Sequence, residues 1–175
     1  MGDGFGPVGR QLRQGVGGEL RAEAEETERL AALAARRRRS LADVAADLLA
    51  RGDTVAVDVP GRRFTGRVVH AAADVMRVRT VSGAVDVPLR GPVTLSVVER
   101  ARAGGVDHPG GPSSFRSRLL ELELEGAAVE LGDAATGDTV VGRLTAVAVD
   151  HAVVVGPGGT ERYVSLAGIA YVRVP

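Results

Sequence analysis

Side chains able to do chemistry are few in this sequence, and they are scattered. The three histidines, His70, His108 and His151, lie far apart, with no spacing that gathers them into a metal triad. Cysteine is absent, which excludes disulfides, thiolate metal sites and thiol nucleophiles. No nucleophile, base and orienting group fall into one pattern, so the chain reads as a non-enzyme with no metal and no cofactor. What remains is charge. All 22 basic residues are arginine. The densest run is Arg36-Arg37-Arg38-Arg39, and Arg77, Arg79 and Arg90 follow. Each guanidinium that meets a phosphate adds salt-dependent affinity. The same groups also serve as solvated strand faces or as partners for Asp74 and Asp86, and the 36–39 run as the end of a helix.

Two short motifs fail on context. Gly4-Phe5-Gly6-Pro7-Val8-Gly9 matches a dinucleotide fingerprint in letters, but no strand precedes it and no helix follows to aim backbone N–H groups at a phosphate. Arg51-Gly52-Asp53 sits at the end of a helix, where glycine serves the helix stop.

The bulk composition sets further bounds. Net charge is zero, with 22 basic and 22 acidic residues. Residues 1–51 carry nine Arg against eight acids, 52–100 seven against five, and 101–175 six against nine. Nothing here is the strongly basic footprint of a dedicated nucleic-acid binder. The apolar residues are mostly alanine and valine, with few aromatics and Ile169 as the lone isoleucine. β-branched valine suits strands. No apolar run has signal-peptide or membrane-spanning length, so a soluble cytoplasmic protein is expected.

The elements that position these residues are legible in outline. Residues 1–18 are glycine-rich and read as disordered. From 19 to 39 the sequence predicts a charged helix, acids first and arginines last, matching the helix dipole. Ser40 with Asp43 forms a capping-box variant, and Leu41, Val44, Ala45 and Leu48 follow at helical spacing. Short alternating strands come next: about 55–59, 64–69, 74–80, 85–89 and 93–97. Residues 101–112 read as a Gly/Pro linker. Ser113-Ser114 then caps a second short helix, and strands are expected at about 127–132, 138–147, 150–156, 160–166 and 169–174. Gly66 and Gly142 should mark strand bends. Asp74 and Asp150 should cap hairpins through Asx turns.

That order, helix and then five strands, occurs twice. FTGRVVHAAADVMRV (64–78) is echoed by VVGRLTAVAVDHAVV (140–154), with Gly66 and Gly142 each followed by Asp eight positions later. VPLRGPVTLSV (87–97) matches VSLAGIAYVRV (164–174) in the same way. Duplication is the firmest reading of the chain.

Gly61-x-x-Phe64-x-Gly66, Asp74-x-Met76 and Leu89-Arg90-Gly91 resemble the two short motifs of the Sm/LSm family. Gly142, Asp150 and Leu166-Ala167-Gly168 resemble a degraded second copy. The layout is also similar to two-barrel proteins of high-GC bacteria. The resemblance implies two tandem Sm-like five-stranded antiparallel barrels, at 40–100 and 113–175, each preceded by a short helix. It also implies RNA contacts at Asp74, Met76, Arg77, Arg90 and Gly91 in the first copy and at Asp150 and His151 in the second. Neither copy keeps a full base pocket: Val75 stands where a stacking residue belongs and Arg77 where Asn belongs in the first, and the second has Ala152, Val153 and Ala167.

Two functions follow as expectations. The first is a protein-interaction or assembly module, oligomeric through exposed strand edges and the 19–39 helix. The second is a single-stranded RNA-binding regulator using the first barrel.

Overall fold

In the computed structural model of the protein, residues 23–102, 104–105 and 110–175 are described. The expectations for residues 1–18, the Gly4–Gly9 motif, the 19–22 helix start and His108 lie outside them. The chain divides into two units, the first ending at Arg39 and the second spanning Ser40–Pro175. In the first, helix α1 covers 23–38 in the described residues, and its side chains are exposed, Leu30 and Leu33 included. No helix among the described residues is long and apolar enough to cross a membrane.

The second unit begins with α2 (Leu41–Arg51). Ser40 Oγ accepts the Asp43 N–H at 3.2 Å, and the Asp43 carboxylate accepts the Ser40 N–H at 2.7 Å, a reciprocal cap. Gly52 ends the helix at φ 74, a left-handed conformation in which its N–H reaches the Leu48 and Leu49 carbonyls. Asp53 is 2% exposed, accepting from Arg51 Nε at 2.8 Å and the Ala101 N–H at 2.9 Å, so the Arg-Gly-Asp tripeptide is not on display. Five strands follow: β1 (Thr54–Val59), β2 (Arg62–Ala72), β3 (Val75–Thr80), β4 (Gly83–Pro88) and β5 (Thr94–Glu99). Helix α3 (Phe115–Leu124), capped by Ser114, introduces five more. These are β6 (Ala128–Asp133), β7 (Thr139–Val147), β8 (His151–Val155), β9 (Glu161–Ser165) and β10 (Ile169–Arg173). On α3, Phe115, Leu119 and Leu122 are buried, whereas Leu120 and Leu124 are exposed.

The expected pair of separate five-stranded barrels is not what forms. All ten strands join one antiparallel sheet in the order β5-β1-β2-β3-β4-β10-β6-β7-β8-β9, and β5 and β9 stand at its two ends. The joint is β4 against β10, with Asp86 opposite Val172 and Val85 opposite Arg173. Alternation in a sequence identifies the face a residue presents, but not which strand edge its backbone groups will meet. Here the edge of each half satisfies the other.

Within the continuous sheet the halves follow one plan. Each runs fifth strand, first, second, third, fourth. The register shifts between Val68 and His70 on β2, and between Leu144 and Ala146 on β7. Each shift lies just past the glycine of its strand, Gly66 or Gly142. A Cβ on Gly66 would collide with the Arg79 carbonyl across the ladder, and one on Gly142 with that of Val155. Both strands therefore bend where only glycine lets the neighbour approach. Leu89 N–H donates to Asp74 O and Leu166 N–H to Asp150 O, both at 2.8 Å.

Two apolar cores lie beneath the helices. The first gathers α2 with β1–β4, and it includes Ala170 and Tyr171 from the last strand. The second gathers α3 with β6–β9, Ile169 and Val172, and it includes Val75 from β3. β10 thus belongs to both.

Candidate interaction site

Three of the expected RNA-contact residues meet in a cleft of ≈ 290 Å³ formed by the β2–β3 turn, the β4–β5 loop, the start of α3 and the β9–β10 connection. Asp74, Arg90 and Gly91 line it, with Phe115 and Leu119 from α3 and Leu166 and Ile169 from the second half. Asp74 does not cap its own hairpin. Its Oδ1 accepts the Phe115 N–H at 2.9 Å, so it holds the first turn of α3 from across the molecule. Arg90 Nε lies 3.8 Å from the other Asp74 oxygen, and the Arg90 side chain is 84% exposed. Arg116 Nη1 is committed to the carbonyls of Ala148 at 2.7 Å and Val149 at 3.1 Å. The cleft therefore has an apolar floor and an exposed cation at its mouth.

The other expected contacts are elsewhere or spoken for. The Met76 side chain is fully buried in the first core. Arg77 grips Asp86 with both ends of its guanidinium, Nε–Oδ1 at 2.7 Å and Nη2–Oδ2 at 3.2 Å. Asp86 is 3% exposed and also receives Arg118 Nε from α3 at 3.0 Å. That pairing is the salt-bridge alternative for Arg77, and it commits the Nε–Nη2 edge of the guanidinium to Asp86. Arg79 is exposed on β3, directly opposite Arg67 of β2.

Asp150 and His151 do not line the cleft. Asp150 makes no Asx cap with its side chain; Oδ1 meets the His151 Nδ1 at 2.7 Å. That hydrogen bond, with the imidazole charge behind it, holds the Asp150 carboxyl below its ordinary range. The His151 ring packs at 5.7 Å, tilted 56°, against Tyr163 on the terminal strand β9. Arg36 to Arg39 belong to the first unit. His70 Nε2 meets the Pro112 carbonyl at 2.9 Å, tying the end of the linker to β2.

A buried network centred on Glu130 gave no signal in the sequence. Glu130 is 7% exposed on β6. Its Oε1 accepts from Arg62 Nη1 and from Tyr171 Oη, both at 2.8 Å, and its Oε2 from Arg173 Nη2. Burial alone opposes ionisation of Glu130, but the hydrogen bonds from Arg173 and Tyr171 and the two arginine charges outweigh it, so its pKa falls below the ordinary value. Phe64 stacks edge-on against Tyr171 at 4.9 Å. β2, β6 and β10 are thereby locked together across the join.

The two ends of the sheet complete the candidate surfaces. β5 is exposed along nearly its whole length, with Val97 45% and Val98 56% accessible. β9 shows Tyr163 at 66%. Isolated exposed apolar side chains are ordinary, but these lie on strands whose outer backbone has no neighbour in the sheet. Compared with known proteins, the chain matches no family model and no curated sequence.

Proposed function

We propose that this chain is a non-enzymatic assembly module that binds protein through the open edges of its sheet. The observation that carries the reading is the strand order: ten strands in one antiparallel sheet leave β5 and β9 each with one partnered side, and both present large apolar residues there. Edge strands are templates for strand addition, in which main-chain hydrogen bonds supply affinity and alternate side chains supply selectivity. The exposed faces of α1 offer a second contact element.

We read the two halves as copies of one ancestral five-strand unit related to the Sm family. What supports this is the shared strand order, the shared register shift and the matching Leu-to-Asp hydrogen bonds. RNA binding is the runner-up, and it rests on Arg90 and the 36–39 run, since Met76 and Arg77 serve the interior.

The test is affinity purification of the tagged full chain from its native host, with and without nuclease, beside Val97→Lys/Tyr163→Lys. Lysine on an edge opposes strand addition. Protein retained by the parent chain, insensitive to nuclease and lost from the variant, is the expected result. Retention unchanged by the variant overturns the reading, and retention abolished by nuclease transfers it to RNA.

A further inference from the structure

One row of residues across the first half carries a charge that the fold leaves unbalanced. Glu99, Thr54, Arg67, Arg79 and Ala84 stand opposite one another in turn, on β5, β1, β2, β3 and β4, and so share one face of the sheet. Like charges directly opposite on neighbouring strands are destabilising, yet Arg67 meets Arg79 there with both side chains exposed. Beside Arg67 lies a cleft of ≈ 540 Å³, a size that suits a small molecule. Arg67, Arg100 and Arg102 line it with Thr54, and Glu99 is the one carboxylate among the lining residues. Among the described residues, no salt bridge joins Arg67, Arg79, Arg100 or Arg102 to a carboxylate. The cleft shares no lining residue with the one at Asp74 and Arg90. We propose that it binds the diphosphate group of a soluble small molecule, with Arg67, Arg100 and Arg102 donating to the phosphate oxygens.

The cleft is held in shape by the segment that leaves β5. Asp53 Oδ1 accepts the Ala101 N–H at 2.9 Å, and the Gly105 N–H donates to the Ala50 carbonyl at 2.8 Å. The stretch carrying Arg100 and Arg102 is thereby tied to the end of α2. A Cβ on Gly105 would collide with the Leu49 carbonyl, so this approach requires glycine. A guanidinium presents a planar fork of donors that matches phosphate oxygens. Three such forks against one carboxylate leave a surplus of positive charge, which a diphosphate neutralises. No aromatic side chain is among the lining residues, so the cleft lacks the stacking platform that single-stranded nucleic acid uses. The second half supplies the contrast. Arg143 follows Gly142 as Arg67 follows Gly66, but it stands between Ala128 and Val155, with no facing arginine.

This site needs neither open edge of the sheet, so it stands or falls apart from the edge-binding reading. Isothermal titration calorimetry of the full chain with inorganic pyrophosphate tests it, and circular dichroism checks that each variant folds like the parent. The expected result is one pyrophosphate bound per chain, with orthophosphate weaker by about tenfold, since it forgoes part of the charged hydrogen bonding. Arg67→Gln/Arg100→Gln should weaken pyrophosphate binding by about tenfold or more. Arg143→Gln should bind as the parent does. Gly105→Ala changes no charge and should still weaken binding, because it displaces the wall. Absence of saturable heat, or equal affinity in the parent and the double variant, overturns the site. A loss in Arg143→Gln equal to that in the double variant shows diffuse surface charge and overturns it too. A folded Gly105→Ala chain with the parent's affinity overturns the preformed wall. ADP should displace the bound pyrophosphate, and a single-stranded oligonucleotide that does so at lower concentration than ADP overturns the small-molecule source in favour of a nucleic-acid backbone.

Discussion

At the scale of single residues, Glu130 carries more of the junction than any site expected from the sequence. Its carboxylate is nearly buried, and its donors come from strands on both sides of the join. Breaking a buried charge cluster by removing one partner leaves the others uncompensated. Arg62 keeps 41% of its side chain in solvent, so the cost is smaller than for a dry pair. Glu130→Gln should destabilise the fold by roughly 2–3 kcal/mol in chemical denaturation. The pH dependence has a definite sign. A carboxyl whose folded pKa lies below its unfolded one adds stability that is fully present above the unfolded value, roughly 4 for glutamate, and is lost as the pH falls through the folded value. The parent chain should therefore lose stability in that acid window more steeply than Glu130→Gln. Parallel slopes for the two proteins would show that Glu130 is not the group responsible.

At the scale of elements, α3 shows what the sequence could and could not disclose. Its cap was legible: Ser114 Oγ accepts the Ser117 N–H at 3.1 Å, as a serine before a helical stretch should. The strands were legible too, because valine alternation and Gly-containing turns are local signals. Glycines 66 and 142 announced their bends for the same reason. The second support of α3 was not legible, since Asp74 lies 41 positions before the Phe115 N–H it accepts. Likewise Arg62 and Glu130 are 68 positions apart, and no local pattern couples them. The arginines drawn toward RNA by analogy with the Sm motifs show the complementary failure: Arg77 has the right sequence position, but its partner Asp86 across the hairpin decides its use. The Asp74 cap makes a measurable claim. Asp74→Ala should cost about 1 kcal/mol, the usual value of a helix cap, and amide exchange should quicken in the first turn of α3 while β1 and β2 keep their protection. Uniform loss of protection would assign Asp74 to the sheet instead.

At the scale of the whole second unit, the shared last strand decides how the fold comes apart. Two cores under two helices suggest two independently melting halves, and a Gly/Pro linker between them encourages the same view. β10 argues otherwise. Ala170 and Tyr171 belong to the first core, Ile169 and Val172 to the second, and the same strand is hydrogen-bonded to β4 on one side and β6 on the other. Peeling β10 away exposes Phe64 from one core and the α3 face from the other, so neither half has a stable state without it. The unit should unfold in one transition, with circular dichroism and tyrosine fluorescence giving coincident curves. Tyr171→Ala removes a fully buried ring that stacks on Phe64 and donates to Glu130; truncating a core aromatic costs about 3–5 kcal/mol. Although Tyr171 packs only in the first core, the loss should appear equally in the exchange of Val57, in that core, and of Val129, in the second. Protection retained at Val129 while Val57 exchanges freely would mean that the halves are thermodynamically separate, and that the continuous sheet joins them without coupling them.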